Sequence, residues 1–136
     1  MSDRIAYRGG YKYQTTRPYQ FQTGIFGFVG SNTYLQLDAL GILEIRAGYA
    51  WDGPSGPTID TPSAMRGSLV HDALYQMIRL GFLPASTREE CDRIYERLCR
   101  QDGMNQFRAW IHFRALRRFG GSSADPKAER PELVAP

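Results

Sequence analysis

Apolar residues recur with period two through the first fifty positions: Tyr11 and Tyr13, Tyr19 and Phe21, Leu35 and Leu37, Leu43 and Ile45. Aromatic and branched residues at that spacing, broken at Arg17-Pro18, Gly30-Ser31-Asn32 and Leu40-Gly41, predict short antiparallel strands joined by turns. About four or five strands in one small sheet are expected from this pattern. Alternation stops between Tyr49 and Pro62. There Asp52-Gly53-Pro54-Ser55-Gly56-Pro57 removes donors at its prolines and admits positive φ at its glycines, so an irregular loop is predicted.

From Pro62 the period changes. Thr61-Pro62 reads as an N-cap followed by the first helical residue, and Leu69, Val70, Ala73, Leu74 and Met77 repeat at three and four until Gly81. Ser86 and Glu89 form an S-x-x-E capping box ahead of a second run, Cys91, Ile94, Tyr95, Leu98 and Cys99, which ends at Asp102-Gly103. A third helix is predicted from Asn105 to Phe119, with Phe107, Trp110, Ile111 and Leu116 as its inner face. The expected fold is therefore α+β. A single domain spans residues 1–120: a small N-terminal antiparallel sheet, a Gly/Pro loop, an antiparallel helix pair and a third helix. Residues 121–136 are polar and rich in proline, with Leu133 and Val134 as the only large aliphatic side chains. They are expected to form an extended arm that docks on another chain.

The length of 136 residues suits one domain, and 42% hydrophobic with 23% charged residues matches a folded globular chain. No apolar run approaches the roughly 20 residues of a membrane helix, and the opening residues lack the apolar core of a signal peptide. A product kept in the cytoplasm where it is made is expected. Cys91 and Cys99 stand on one helix about 12 Å apart at 1.5 Å per residue, too far for a disulfide, and are expected to be buried thiols. The net charge of +3 arises wholly after residue 60. Between Met104 and Gly120 there are four arginines, Arg108, Arg114, Arg117 and Arg118, and no acid. Arg114, Arg117 and Arg118 share a helical face and are candidates to bind an anion or an acidic partner. No nucleic-acid-reading motif accompanies them, so no specific nucleic acid is expected.

Candidate chemistry lies on the first helix. His71 and Tyr75 are four apart on one face, Asp72 stands about 100° around the helix, and Asp92 on the next helix can reach His71 if the two pack antiparallel. A carboxylate on one imidazole nitrogen leaves the other as a general base. His112 is expected to be a hydrogen-bonded surface or core residue. A zinc site from His71, His112, Cys91 and Cys99 lacks recognised ligand spacing. A buried polar network tying the helices to the loop is the alternative use of His71, Asp72 and Asp92.

His71-Asp72-x-x-Tyr75, with the preceding Gly/Pro loop and the following Cys91-Asp92-Arg93, resembles the active-site layout of phospholipase A2. That resemblance implies His71 as base, Asp92 as its orienting acid, Tyr75 as support, and calcium on Asp72 with loop carbonyls at Gly53 and Gly56. Asp52-Gly53-Pro54-Ser55-Gly56-Pro57, His71-Asp72-Ala73-Leu74-Tyr75 and Asp92 also resemble a family of small tailed-bacteriophage and prophage proteins of unknown function, over more of the chain. What this implies is a virion or tail-assembly component, made in the host cytoplasm and virion-associated. Such a component carries a phospholipase-like His/Asp site and meets other phage structural proteins, or its own copies, through the C-terminal arm. The rival expectation is a calcium-dependent hydrolase acting on phospholipid of the host envelope.

Overall fold

The computed structural model describes residues 4–8, 13–53 and 61–125. It is α+β, with antiparallel strands first and helices after them. Strands β1 (Tyr7–Arg8), β2 (Tyr13–Thr15), β3 (Tyr19–Gln22), β4 (Gly30–Ser31), β5 (Leu35–Leu37), β6 (Ile42–Ile45) and β7 (Ala50–Trp51) divide between two sheets, ordered β1-β2-β7 and β3-β6-β5-β4. The expectation of one sheet with four or five strands is corrected. Pro18 fixes its φ and lacks an N–H, and the chain bends before it, so consecutive strands take different partners. Tyr13 lies opposite Trp51, whereas Tyr19 lies opposite Ile45. Thr15 clamps the corner: its hydroxyl donates to the Arg46 carbonyl at 2.9 Å and accepts from the Tyr49 N–H at 3.0 Å. Tyr11, part of the expected alternation, is outside the described residues.

The turn expected at Gly30-Ser31-Asn32 is also displaced. Gly30 and Ser31 pair with Leu37 and Gln36, and Asn32 makes the reversal by accepting from the N–H groups of Tyr34 and Leu35 at 3.0 and 2.9 Å. In the larger sheet Tyr19, Leu35, Leu37, Leu43 and Ile45 point into the core, while Gln20, Gln36 and Glu44 point outward.

Helix α1 (Pro62–Arg79) lies in the middle of the domain, and every residue from Ala64 to His71 is buried. Two contacts fix it to the smaller sheet. Trp51 Nε1 donates to Ser68 Oγ at 3.0 Å, and Tyr49 OH donates to Gln76 Oε1 at 3.1 Å. Helix α2 (Arg88–Gln101) packs its Cys91, Ile94, Tyr95, Leu98, Cys99 stripe on the other side. Both cysteines are free, buried thiols, as expected. At the crossing, a Cβ on Gly67 would sit 3.0 Å from Cys99 Sγ and 3.3 Å from the Tyr95 carbonyl oxygen, so glycine sets how closely the helices approach. Arg66, buried beside it, donates to Asp102 at 2.9 and 3.0 Å and ties α1 to the end of α2.

The Ser86/Glu89 capping box does not form. Ser86 belongs to a 3-10 turn, Ala85–Thr87, that delays α2 until Arg88; Thr87 donates to the Pro84 carbonyl, and Glu89 lies 3.7 Å from Arg93. Helix α3 (Gln106–Phe119) is capped by Asn105, whose side chain accepts from Arg108 N–H at 2.8 Å. Its inner face is also corrected. Ala109, His112 and Phe113 are buried with Leu116 partly so, whereas Phe107, Trp110 and Ile111 are 69%, 50% and 45% exposed. Side-chain size pointed to one face, and the 109-112-113-116 spacing, equally helical, went to the core. Residues 121–125 continue the domain as a helical turn, α4 (Gly121–Ala124), with Ala124 buried and the Ser123 carbonyl accepting from Arg79. Residues 126–136 of the expected arm, Leu133 and Val134 included, lie outside the described residues. Among the described residues no helix is long and apolar enough to cross a membrane.

Candidate functional site

The antiparallel packing of α1 on α2 brings His71 and Asp92 together, with Nε2 2.8 Å from Asp92 Oδ1. Tyr75, one turn along α1, donates its hydroxyl to the same oxygen at 2.6 Å, and its ring lies 4.0 Å from the imidazole, centre to centre. The second carboxylate oxygen accepts from Arg117 Nη1 at 2.9 Å. Arg88, at the start of α2, donates Nε to Tyr75 OH at 3.1 Å and Nη2 to the carbonyls of Leu116 and Arg117 at 2.6 and 3.1 Å. Three helices thus converge on one carboxylate.

Electrostatics fixes the protons. Burial works against a charge on Asp92, but hydrogen bonds from His71, Tyr75 and Arg117, with the His71 charge, outweigh it and hold its pKa below the ordinary value. An ionised carboxylate can only accept, so His71 Nε2 carries a proton and donates it. In the neutral imidazole the lone pair is then on Nδ1, which faces Asp72 with 3.9 Å between Nδ1 and Oδ1. Burial opposes the imidazolium as well, yet the two flanking carboxylates prevail and the His71 pKa is raised. Burial pushes the Asp72 carboxyl up against the pull of His71, and the negative charge of Asp52 pushes the same way.

His71 itself is only 5% exposed, whereas the Asp72 side chain is 38% exposed, so the Nδ1 side of the imidazole is the one next to a solvent-reaching group. Gly53 is buried with φ 85°, a left-handed geometry suited to glycine, and opens the loop next to Trp51. Gly56 and residues 54–60 lie outside the described residues. Among the described residues no group of three or more His, Cys, Asp or Glu side chains is arranged to hold a metal ion. Of the residues assigned to calcium from the resemblance, Asp72 and Gly53 are described, and Asp52 lies near enough for its charge to act on Asp72.

The remaining candidates separate from this site. Tyr95 OH and His112 Nδ1 are hydrogen-bonded at 3.0 Å in the α2–α3 packing, which makes His112 a satisfied buried histidine. Burial pushes the Cys91 and Cys99 thiols up to about 12, removing both as nucleophiles at neutral pH. Arg117 leaves the arginine face to which the sequence assigned it and turns inward, while Arg114 rests over the Trp110 ring at 5.7 Å and Arg118 over Phe119 at 5.3 Å. Sequence reasoning missed Arg88 and the inward role of Arg117. For Arg117 a signal existed, because it follows Ala109, His112, Phe113 and Leu116 at i+8 on the true inner face. For Arg88 there was none, since its partners are separated from it by thirteen or more residues.

No family model, curated protein or solved structure matches the chain.

Proposed function

We propose that the chain is a calcium-dependent ester hydrolase of the phospholipase A2 kind, with His71 as its general base. The observation that carries this reading is the 2.8 Å contact of His71 Nε2 with the Asp92 carboxylate, from which the tautomer follows. Asp92, held ionised by Tyr75 and Arg117, accepts a hydrogen bond from Nε2–H and so leaves Nδ1 as a base beside Asp72. In the reaction, Nδ1 removes a proton from water as the oxygen attacks the ester carbonyl, the imidazolium is stabilised through Nε2–H by Asp92, and the proton passes to the departing alcohol. Asp72, together with Asp52 and the Gly53 carbonyl, would hold the calcium. When bound, the ion supplies positive charge for the oxyanion. The raised pKa of His71 places the active base form on the alkaline side, so the rate rises with pH through a value above about 6.5. The resemblance to phage and prophage proteins gives the setting: a particle or lysis step that brings the chain to the host envelope.

The test is release of fatty acid from phospholipid vesicles. Wild type is expected to release it with millimolar calcium and not with chelator, and Asp72→Asn to lose the calcium response while keeping its fold. No release under any calcium concentration at pH 6–9 contradicts the proposal.

One observation favours a second reading. No buried side-chain nitrogen or oxygen among the described residues lacks a partner, and His71 is nearly enclosed, which is what a structural network within an assembly component requires. On that reading His71→Gln lowers stability and no turnover exists to be lost.

A further inference from the structure

Helix α3 exposes a continuous stripe on the side opposite Ala109, His112 and Phe113. Phe107, Trp110, Ile111, Arg114 and Arg118 follow at i, i+3, i+4, i+7 and i+11, which places them within about 100° of one another on the helix circumference. The apolar half is aromatic: the Phe107 and Trp110 rings stack with centroids 6.2 Å apart. The other half is cationic, with Arg114 and Arg118 both exposed. Nothing from residue 104 to 120 is acidic, and Glu96, at the edge of the stripe, lies 3.6 Å from Arg100. A groove of about 430 Å³ lined by Glu96, Arg100, Gln106, Phe107 and Trp110 extends the apolar half toward α2.

Leaving two aromatic rings and an isoleucine in water costs hydrophobic free energy that burying this face elsewhere in the fold would recover. We propose that this stripe docks on the surface of an anionic phospholipid bilayer. The cationic charge beside the aromatic rings selects that occupant: Arg114 and Arg118 meet lipid phosphates, and Trp110 with its neighbours enters the headgroup boundary, the pattern of an interfacial helix. Arg117 takes no part, because it is committed to Asp92. The inference deepens the phospholipid reading and rests on it for the choice of surface, but docking needs no turnover, so the two can fail separately.

The experiment mixes the chain, in EDTA, with vesicles of equal parts phosphatidylglycerol and phosphatidylcholine, or of phosphatidylcholine alone. Of the two tryptophans Trp51 is buried in the core, so a change in emission reports Trp110. A blue shift and co-sedimentation with the anionic vesicles are expected, weakening with added salt. The variant Phe107→Ser/Trp110→Ser/Ile111→Ser, all at exposed positions, is expected to keep its circular dichroism and lose at least tenfold in vesicle partition. Arg114→Gln/Arg118→Gln is expected to lose about fivefold per arginine on anionic vesicles. Absence of both shift and sedimentation overturns the proposal. So does unchanged binding by the triple serine variant, or a dimer in sedimentation that this variant dissolves while no vesicles are bound. Hydrolysis in the separate calcium assay without vesicle binding in EDTA overturns the docking surface alone; binding in EDTA with no hydrolysis in calcium leaves the docking surface and removes the enzyme.

Discussion

A carboxylate buried as completely as Asp92 persists as an anion only when several donors surround it, and it has three, from His71, Tyr75 and Arg117. Asp92→Asn should therefore cost about 3–5 kcal/mol in urea unfolding, because it strips the Arg117 and His71 donors of their anion. Tyr75→Phe should cost less, about 1.5–3 kcal/mol, since it deletes the hydrogen bond to Asp92 and the one accepted from Arg88 but leaves Asp92 its other two donors. The same residues set a pH optimum of stability. His71, with its raised pKa, contributes in full below about pH 6.5 and loses that contribution as pH rises through its folded value. Asp92, with its lowered pKa, contributes above about pH 4 and loses it as pH falls through its folded value. Both are in place between those limits, and Asp72, whose carboxyl is held up, shifts the optimum toward the acid side as its ionisation costs stability. Unfolding midpoints measured across pH 3–9 should show this maximum, with the acid limb flattened in Asp92→Asn and the alkaline limb flattened in His71→Gln.

Among the elements, the α1–α2 pair depends on Gly67, where any side chain meets Cys99 and the Tyr95 backbone. Gly67→Val should force the helices apart, cost about 1–3 kcal/mol and weaken the His71–Asp92 contact, which a smaller alkaline dependence of stability would report. The order of these elements was legible in the sequence: strands and then three helices follow from period two giving way to period three and four, and the stripe of α2 is read correctly residue by residue. What escaped was decided by groups distant in the chain. Pro18 sends β2 and β3 to different sheets because of where β6 and β7 return, and α3 turns its smaller side chains inward because Tyr95 and Arg88 require His112 and the end of the helix close by. The His71–Asp92 meeting was foreseeable from helical spacing once the two helices pack antiparallel, and Arg117 from the true inner face of α3, while Arg88 became visible only with three helices assembled. The stability of α3 variants separates the two readings of its inner face: Phe113→Ala should cost about 3 kcal/mol, and Phe107→Ser close to nothing.

For the molecule as a whole, two sheets and α2 enclose α1, so that the one imidazole nitrogen not tied to Asp92 faces Asp72. Hydrolysis, calcium use and pH dependence all follow from which nitrogen bears the proton. With two histidines in the chain, the nitrogen-15 spectrum of the imidazoles resolves His71 from His112 by comparison with His71→Gln. Recorded above the His71 pKa, it should show Nε2 protonated and Nδ1 carrying the lone pair, and Asp92→Asn should disturb that preference. A His71 found with its proton on Nδ1, leaving Nε2 bare toward Asp92, would contradict the account at its centre, because no base would then face the solvent side of the site.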